Sequence, residues 1–148
     1  MHVLQQLIAR HRQGIACGIT SICSAHPLVV EAALRHALYH GDSMILFEAT
    51  CNQVNQDGGY TGMTPVGFVD FVHGIAHQAG FDPARIILGG DHLGPNPWTA
   101  LDPDAAMAKA EIMVADYVAA GFRKMHLDCS MACAGDPEPL PESEIVRR

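Results

Sequence analysis

The sequence predicts an α/β protein that forms roughly the first half of a TIM (β/α)₈ barrel. Four short apolar segments, each followed by a stretch with helical periodicity, recur along the chain at intervals of about 30 to 40 residues. This order is typical of parallel strands joined by helical crossovers. Each apolar segment ends in polar residues, at the edge where barrel enzymes place their chemistry. A small doubly wound sheet would also fit four units, but no glycine-rich phosphate-binding turn follows the first strand.

Composition limits the classes of function. The 148 residues include 9 Lys and Arg against 16 Asp and Glu, a net charge of −7. This excludes the basic surface that nucleic-acid binding needs, and no apolar run reaches the about 20 residues of a membrane-spanning helix. The N-terminus lacks a signal-peptide pattern and the five cysteines are irregularly spaced, so we expect a cytoplasmic protein with reduced thiols. Because 49% of residues are apolar and only 17% charged, we expect the chain to bury surface against a partner or a missing part of the protein.

The first unit consists of a leading helix, a strand and a second helix. Residues 1–11 carry apolar side chains on one face and predict the leading helix. Ile15–Ile22 predicts the first strand. Ser24 and Pro27 are typical of a helix start, and Gly41 is typical of a helix end. The apolar positions of this second helix recur every four residues: Val30, Leu34 and Leu38.

The second unit begins with Met44–Ala49, an apolar run that is too short for a helix and suits a strand buried on both faces. A polar loop over Cys51–Gly62 follows. Thr64 and Pro65 then predict the capping residue and first residue of the next helix, which Gly80 ends. Its apolar stripe consists of Phe68, Phe71, Val72 and Ile75.

The third unit repeats the pattern. Ile86–Asp91 predicts the third strand, and Asp102 with Pro103 predicts the start of a long helix that ends near Gly121. Lys124–Asp128 predicts the fourth strand. The inward-facing residues of the long helix are Ala106, Ala110, Met113, Val114 and Tyr117.

Residues 141–148 are typical of the first one or two turns of a fourth crossover helix, with acidic side chains early in it. We therefore expect residues 1–148 to be the N-terminal part of a single TIM-barrel domain that belongs to a longer protein. A half barrel has two open strand edges, which invite association with another chain. We expect this part alone to be inactive and to dissolve poorly or assemble as a homo-oligomer.

The most specific candidate site lies in the segment 89–96, where two glycines precede Asp91 and His92. The glycines would let another backbone or a ligand approach the strand end closely. A carboxylate there can move protons, and an imidazole can hold a divalent metal ion. The alternative is that Asp91 accepts hydrogen bonds from loop amides and His92 packs beneath the loop.

Glu48 ends the second strand and precedes an amide-rich loop with Asn52, Gln53 and Asn55. A carboxylate at the end of an apolar strand needs a partner, because an unpaired buried charge is costly. We expect Glu48 to be catalytic and the three amides to bind the hydroxyl groups of a sugar. The alternative is a loop that satisfies its own polar groups and holds Glu48 as a structural acceptor.

The fourth strand has alternating polarity. Lys124, His126 and Asp128 share one face, and Met125 and Leu127 share the other. The apolar pair suits packing against helices, so the polar three should point into the barrel. There Asp128 could bind a cation or a sugar hydroxyl, while Lys124 is best explained by an ion pair with an acidic neighbour.

Four long segments have distinctive sequences: SICSAHPLVVEAAL, EATCNQVNQDGGYTGMTP, RIILGGDHLGPNPW and KMHLDCSMACAGDP. They closely resemble the N-terminal half of the GatZ/KbaZ family, the accessory subunits of D-tagatose-1,6-bisphosphate aldolase. The resemblance implies a TIM barrel and a role in galactitol or N-acetylgalactosamine catabolism. It also implies a partner, the catalytic class II aldolase subunit, which the accessory subunit stabilises and activates. An older name for such proteins, tagatose-6-phosphate kinase, is not supported, since the sequence has no phosphate-cradling loop of the kinase type.

The family is similar in turn to class II aldolases and metal-dependent sugar epimerases. That similarity implies a sugar phosphate ligand and a divalent metal ion, Zn²⁺ above all, with Asp91 as proton donor and His92 as metal ligand. Asp128 and Ser130 match an Asp-x-Ser that ends the next strand in those enzymes and are expected to bind substrate. The remaining metal ligands of those enzymes lie on later strands. The second hypothesis is therefore that the complete protein is itself a metal-dependent epimerase or aldolase for ketohexoses or their phosphates.

Overall fold

A computed structural model describes residues 3–148. Its four strands form one parallel sheet in the order β1-β2-β3-β4, and helices connect them. The predicted alternation of parallel strands and helices is confirmed. The elements are α1 (Val3–Arg12), β1 (Ser21–Cys23), α2 (Pro27–His40), β2 (Ile45–Thr50), α3 (Pro65–Ala79), β3 (Ile86–Leu93), α4 (Pro103–Ala119), β4 (Lys124–Leu127) and α5 (Glu142–Arg147), with short 3₁₀ turns at 59–61, 83–85 and 96–98.

The core lies between the sheet and helices α2, α3 and α4. The three helices pack beside one another in sequence order, α2 also against β2 and α4 against β3. Phe47 on β2, Phe68 on α3 and Tyr117 on α4 are fully buried there. The ring of Phe122 lies 6.0 Å from that of Phe68 and 4.4 Å from that of Tyr117. Burying one such side chain contributes about 1.5–3 kcal/mol, so these aromatic rings fix the helices on the sheet.

The predicted starts of α3 and α4 are confirmed. The Thr64 hydroxyl accepts a hydrogen bond from the backbone N–H three residues on (3.3 Å), and the Asp102 carboxylate does the same at the start of α4 (3.0 Å). A proline follows each capping residue, at a position where a backbone N–H has no helical partner. Helices α2 and α3 end at Gly41 and Gly80, which adopt left-handed conformations.

The start of α2 differs from the prediction. Pro27 is its first residue, as expected, but the capping residue is His26, whose Nδ1 accepts a hydrogen bond from the Leu28 N–H (3.3 Å). Ser24 instead accepts a hydrogen bond from the His26 N–H (3.2 Å) and so stabilises the turn before the helix. The helix start predicted from Ser24 therefore lies two residues before the actual capping residue.

The buried stripe of α2 also differs by one residue. Ala37 is 1% exposed and completes the stripe, whereas Leu38 is 39% exposed, so the expected core position Leu38 is wrong. At about 100° per residue, position 37 lies about 20° from Val30 around the helix axis and position 38 about 80° away. The smaller side chain therefore faces the core because of its position, not its hydrophobicity.

The first strand is shorter than predicted. Residues 15–20 form no strand, so the expected strand Ile15–Ile22 is wrong over most of its length. The only sheet neighbour of β1 among the described residues is β2, with Ser21 opposite Leu46. Because β2 begins at Ile45 and Ser21 lies opposite Leu46, residues that precede β1 by more than one position have no residue of β2 opposite them with which to continue the strand.

The other boundaries shift by one or two residues. The strands expected at Met44–Ala49 and Ile86–Asp91 extend to Thr50 and Leu93, and α4 ends at Ala119, before Gly121. Met1 and His2, which begin the expected leading helix, lie outside the described residues. No helix within residues 3–148 is long and apolar enough to cross a membrane.

Candidate active site at the carboxyl ends of the strands

Charged side chains from three strands meet at one edge of the sheet. The parallel register places Cys23, Glu48, Gly89 and Lys124 in one row across β1 to β4. Gly89 has no side chain, so Glu48 and Lys124 reach each other across β3, with 2.5 Å between Oε1 and Nζ. A Cβ atom at Gly89 would lie 2.7 Å from Glu48 Oε1. The predicted close approach at this glycine is therefore made by a carboxylate.

Besides its ion pair with Lys124, Glu48 accepts a hydrogen bond from the first strand. Its side chain is only 6% exposed, and its second carboxylate oxygen accepts a short hydrogen bond from the Ser21 hydroxyl on β1. The ion pair with Lys124 confirms the explanation expected for that lysine. The Lys124 ammonium also lies 3.6 Å from Asp91 Oδ1, so it faces two carboxylates at once.

A β-bulge brings Asp91 and His92 to the same edge. Gly90 pairs with Met125 and Leu93 with Leu127, so two residues of β3 lie opposite His126 alone. His92 is in the left-handed region, with φ of 50°, a conformation that few residues other than glycine adopt. In a regular strand these two neighbours would point to opposite faces. The bulge instead leaves His92 Nε2 4.0 Å from Asp91 Oδ2.

His126 completes a cluster of three potential metal ligands. Its Nδ1 lies 2.8 Å from Asp91 Oδ1, and its ring centroid is 4.4 Å from that of His92. One ligand atom each from Asp91, His92 and His126 lies within 4.8 Å of the others. The alternation of β4 predicts His126 on the inward face, but His126 is not among the predicted site residues.

Asp128 orients His92. Its carboxylate accepts hydrogen bonds from the Ser130 hydroxyl (2.5 Å) and the Ser130 N–H (3.0 Å), and it lies 2.9 Å from His92 Nδ1. The Ser130 and His92 hydrogen bonds lower the pKa of Asp128 to about 2, and the contact with Asp128 raises the pKa of His92. An ionised carboxylate can only accept, so Nδ1 carries the proton. In the neutral imidazole, Nε2 is then free to bind a metal ion.

The same charges shift the pKa values of Asp91 and Cys23. Burial acts to raise the pKa of Asp91, but the hydrogen bond from His126 and the nearby Lys124 ammonium outweigh it and leave that pKa below its ordinary value. Burial together with the charges of Asp91 and Glu48 raises the pKa of Cys23 to about 11. The thiol of Cys23 is therefore protonated at neutral pH and a poor nucleophile.

The amide-rich loop contributes unequally to the site. Asn52 is exposed and lines a cavity of about 210 Å³ together with His92, Asp128 and Met131. Gln53 is buried and accepts a hydrogen bond from the Thr50 N–H (2.8 Å). The amide contacts found for Asn55 are all with the backbone of its own loop: it donates to one carbonyl and accepts from two N–H groups. The structure thus brings Asn52 to the cluster, while Gln53 and Asn55 shape the loop.

A second cavity, of about 400 Å³, lies at the opposite ends of the strands, between α1 and α2. It is lined mainly by apolar side chains and backbone, among them Leu7, Ile19 and Met44. The charged cluster is at the other edge of the sheet, beside the smaller cavity, which is therefore the candidate site.

Comparison with known proteins gives one consistent result. The sequence profile of a family described as D-tagatose-1,6-bisphosphate aldolase subunit GatZ/KbaZ-like matches residues 4–148. The D-tagatose-1,6-bisphosphate aldolase subunit GatZ of Salmonella typhimurium is 56% identical over 145 residues, and that of Salmonella enteritidis is 55% identical. Each alignment covers 98% of this chain and 34% of the relative, so the chain spans about a third of their length.

A solved structure shares the fold. The crystal structure of a probable tagatose 6 phosphate kinase from Sinorhizobium meliloti 1021 superposes with a TM-score of 0.82 at 60% sequence identity. The superposition covers 87% of this chain and 33% of that one. The four-stranded arrangement described above is therefore part of a larger fold in that protein.

Proposed function

The chain belongs to the GatZ/KbaZ-like family of D-tagatose-1,6-bisphosphate aldolase subunits, and we propose that the complete protein is the non-catalytic subunit of such an aldolase. In this role it binds the catalytic class II subunit, stabilises it and raises its activity in galactitol or N-acetylgalactosamine catabolism. The observation that carries the proposal is the match to this family over residues 4–148, supported by 56% identity to a subunit of that name. The five cysteines of this chain are all unpaired, which supports the proposal of a cytoplasmic location.

We propose that residues 1–148 form the first four β/α units of a TIM-barrel domain. Three features support this: the strands follow one another in sequence order, all are parallel, and their charged residues gather at the carboxyl edge. Within the described residues, β1 and β4 each have one sheet neighbour. Both outer edges are thus available to later strands of a barrel. The relatives are about three times as long as this chain, which leaves room for such strands in the complete protein.

The edge cluster is the proposed binding site for a sugar phosphate. Glu48 and Asp91 are assigned as acid–base groups, since the Lys124 ammonium lies beside both carboxylates at the strand ends and each can exchange a proton with a substrate hydroxyl. Asp128 and Ser130, which hydrogen-bond each other, are assigned to substrate hydroxyls beside His92. Of the three amides predicted to bind substrate, Asn52 is assigned to this role because it lines the cavity, and Gln53 and Asn55 are assigned to holding the loop that presents it.

The donor set also fits a divalent metal ion, with Zn²⁺ the first choice and His92 as ligand. Nε2 of His92 is free because Nδ1 faces Asp128, and this pairing is common among metal-binding histidines. Such an ion would polarise a carbonyl or hydroxyl oxygen of the sugar. The residues of the chain would orient the substrate and move its protons.

The alternative proposal is that the complete protein is itself an epimerase or aldolase for ketohexoses or their phosphates. The observation that favours it is Asp91, an ionised carboxylate between two imidazoles and an ammonium group, which is a more elaborate arrangement than a structural role requires. A kinase function has no comparable support, because the sequence has no phosphate-cradling loop of the kinase type.

One experiment separates the two proposals. The complete protein is mixed with the catalytic aldolase subunit, and cleavage of D-tagatose 1,6-bisphosphate and the half-life of activity are measured. Both should rise if the protein is an accessory subunit, while an equal mass of serum albumin should raise neither. Asp91→Asn should then activate as well as the parent protein. If the complete protein alone converts a ketohexose phosphate, and Asp91→Asn abolishes this, the alternative is correct.

A further inference from the structure

We propose that His126 is a second imidazole ligand, and that Asp91, His92 and His126 together bind one divalent transition-metal ion. The inference rests on the proposed function in that it places a metal ion at the same edge of the sheet. It goes further by assigning most of the protein ligands to this part of the chain, on two adjacent strands. The class of ion follows from the same residues.

The three side chains are close to the spacing that a metal shell needs. One ligand atom from each lies within 4.8 Å of the others. Ligands at about 2.1 Å from a tetrahedral metal ion are separated by about 3.4 Å. The difference is about 1.4 Å at most, which side-chain rotation can close without movement of the strands. His92 and His126 side chains are 56% and 45% exposed, so an ion can reach them from solvent.

Each imidazole presents one ring nitrogen to the proposed site. His126 Nδ1 faces Asp91 and His92 Nδ1 faces Asp128, each at less than 3 Å. Because the ionised Asp128 only accepts hydrogen bonds, His92 Nδ1 carries a proton and His92 Nε2 has a free lone pair. His126 offers Nδ1 instead, and the ion would take the place of the proton between this nitrogen and Asp91. Asp128 is held in turn by Ser130, and carboxylates of this kind raise the basicity of metal-binding histidines.

The donor set selects the class of ion. Two imidazoles and one carboxylate suit Zn²⁺, Fe²⁺ or Co²⁺, whereas Mg²⁺ and Ca²⁺ prefer oxygen ligands throughout. Three protein ligands leave at least one coordination position for water or a substrate oxygen. We therefore expect Zn²⁺ and Co²⁺ to bind and Mg²⁺ to compete poorly.

Glu48 has a positioning role in this arrangement. The Lys124 ammonium lies between Glu48 and Asp91, at 2.5 Å from the first and 3.6 Å from the second. A free ammonium beside Asp91 would compete with a metal ion for that carboxylate. Because Glu48 is the nearer partner, Asp91 keeps an oxygen available.

The test is a metal titration of the complete protein with its helical histidine pairs disabled. His36 and His40 lie one turn apart on α2, with ring centroids at 4.2 Å, and His73 and His77 have the same spacing on α3. Such pairs can bind transition metals themselves, so the parent protein for the test carries His36→Ala and His73→Ala. It is stripped with a chelator and titrated with Zn²⁺ by calorimetry and with Co²⁺ by visible absorption.

We expect one Zn²⁺ per chain. Changing either cluster histidine, His92 or His126, to Ala should weaken Zn²⁺ binding by more than about 100-fold. Asp128→Asn, which removes only a group that orients His92, should weaken it by about 10–100-fold. The Co²⁺ absorption band should be lost in both alanine variants. His126→Gln, which keeps a polar side chain, should lose binding equally, and His11→Ala on α1 should bind as the parent does. Thermal unfolding of each stripped variant verifies that it is folded.

The outcomes distinguish this inference from the proposed function. If His92→Ala loses the ion but both His126 variants bind as tightly as the parent, the metal site exists and His126 is not a ligand, which overturns the inference alone. If no variant affects Zn²⁺ binding, or the parent binds none, both the inference and the proposed metal site are wrong. The role as an aldolase subunit is tested separately, by activation of the partner.

Discussion

Lys124→Met removes the ammonium group that pairs with Glu48 and leaves most of the aliphatic stem in place. Nζ lies 2.5 Å from Glu48 Oε1, and the Glu48 side chain is 6% exposed. Once the ammonium is gone, the carboxylate retains the hydroxyl of Ser21 as its partner at β1. The nearly buried negative charge of Glu48 then has no cation beside it unless the side chains at this edge of the sheet rearrange.

The expected cost follows from the burial of the two partners. Removing one member of a fully buried ion pair costs about 3–5 kcal/mol, because the other charge remains desolvated. Lys124 is 32% exposed, so water already screens part of the interaction. We therefore expect Lys124→Met to lower the free energy of unfolding by about 2–3 kcal/mol. The double variant Glu48→Gln/Lys124→Met, with neither charge, should regain most of this loss.

The assay is urea unfolding of the complete protein at pH 7, with midpoints compared at constant slope. Lys109→Met is the matched control, since Lys109 pairs at 2.9 Å with Asp57, which is 52% exposed. Exposed pairs contribute about 0.2–1 kcal/mol, so this control should differ little from the parent protein. If Lys124→Met costs no more than Lys109→Met, or if the double variant is no more stable than Lys124→Met, the pair does not act as a buried charge pair and the reasoning fails.

Three further predictions concern stability. Tyr117→Phe should lower the free energy of unfolding by about 1–2 kcal/mol in the same urea assay, because its hydroxyl donates at 2.9 Å to a buried backbone carbonyl that would lose its partner. Gly94→Ala should prevent folding, since an added Cβ would lie 1.8 Å from a backbone oxygen of the fourth-strand loop. Gly74→Ala on α3, where a Cβ meets nothing within 4 Å, should instead raise the free energy of unfolding by about 0.5–1 kcal/mol. If the Gly94→Ala and Gly74→Ala proteins have equal solubility and melting temperature, both predictions are wrong. Hydrogen bonds from a lysine and a tryptophan lower the pKa of Asp57. The ionised Asp57 should therefore stabilise the fold above the unfolded pKa of 3.8, and this stabilisation should disappear as the pH falls through the lower folded pKa. If Asp57→Asn lowers the free energy of unfolding equally at pH 7 and pH 2.5, this prediction is wrong.

The elements most faithfully predicted from sequence were those with local signals. Thr64 and Asp102 cap their helices because the capping hydrogen bond spans only three residues and is complete within the chain segment itself. The expected strand at Ile15–Ile22 had no such local basis. A strand exists only where a neighbour offers hydrogen bonds, and β2 offers them to Ser21–Cys23.

The candidate site shows the same division. Asp91, His92, Glu48 and Asp128 are predictable because each follows a strand-like apolar run, and parallel strands bring such residues to one edge. His126 was seen on the correct face of its strand, yet its pairing with Asp91 could not be read from sequence, since a bulge in β3 sets that register.

The sequence by itself determined the alternation of strands and helices, the family, and which edge of the sheet carries the polar residues. The alternation and the polar edge depend on periodicity and capping, and the family depends on the resemblance of four long segments; all are properties of consecutive residues. The tertiary structure decided which of those residues touch. Lys124 meets Glu48 only because Gly89 between them lacks a side chain, and Asp91 and His92 share an edge only because the backbone at His92 is left-handed. Contacts between strands depend on register and on bulges, and both are fixed by the packing of the whole sheet rather than by any segment of the chain.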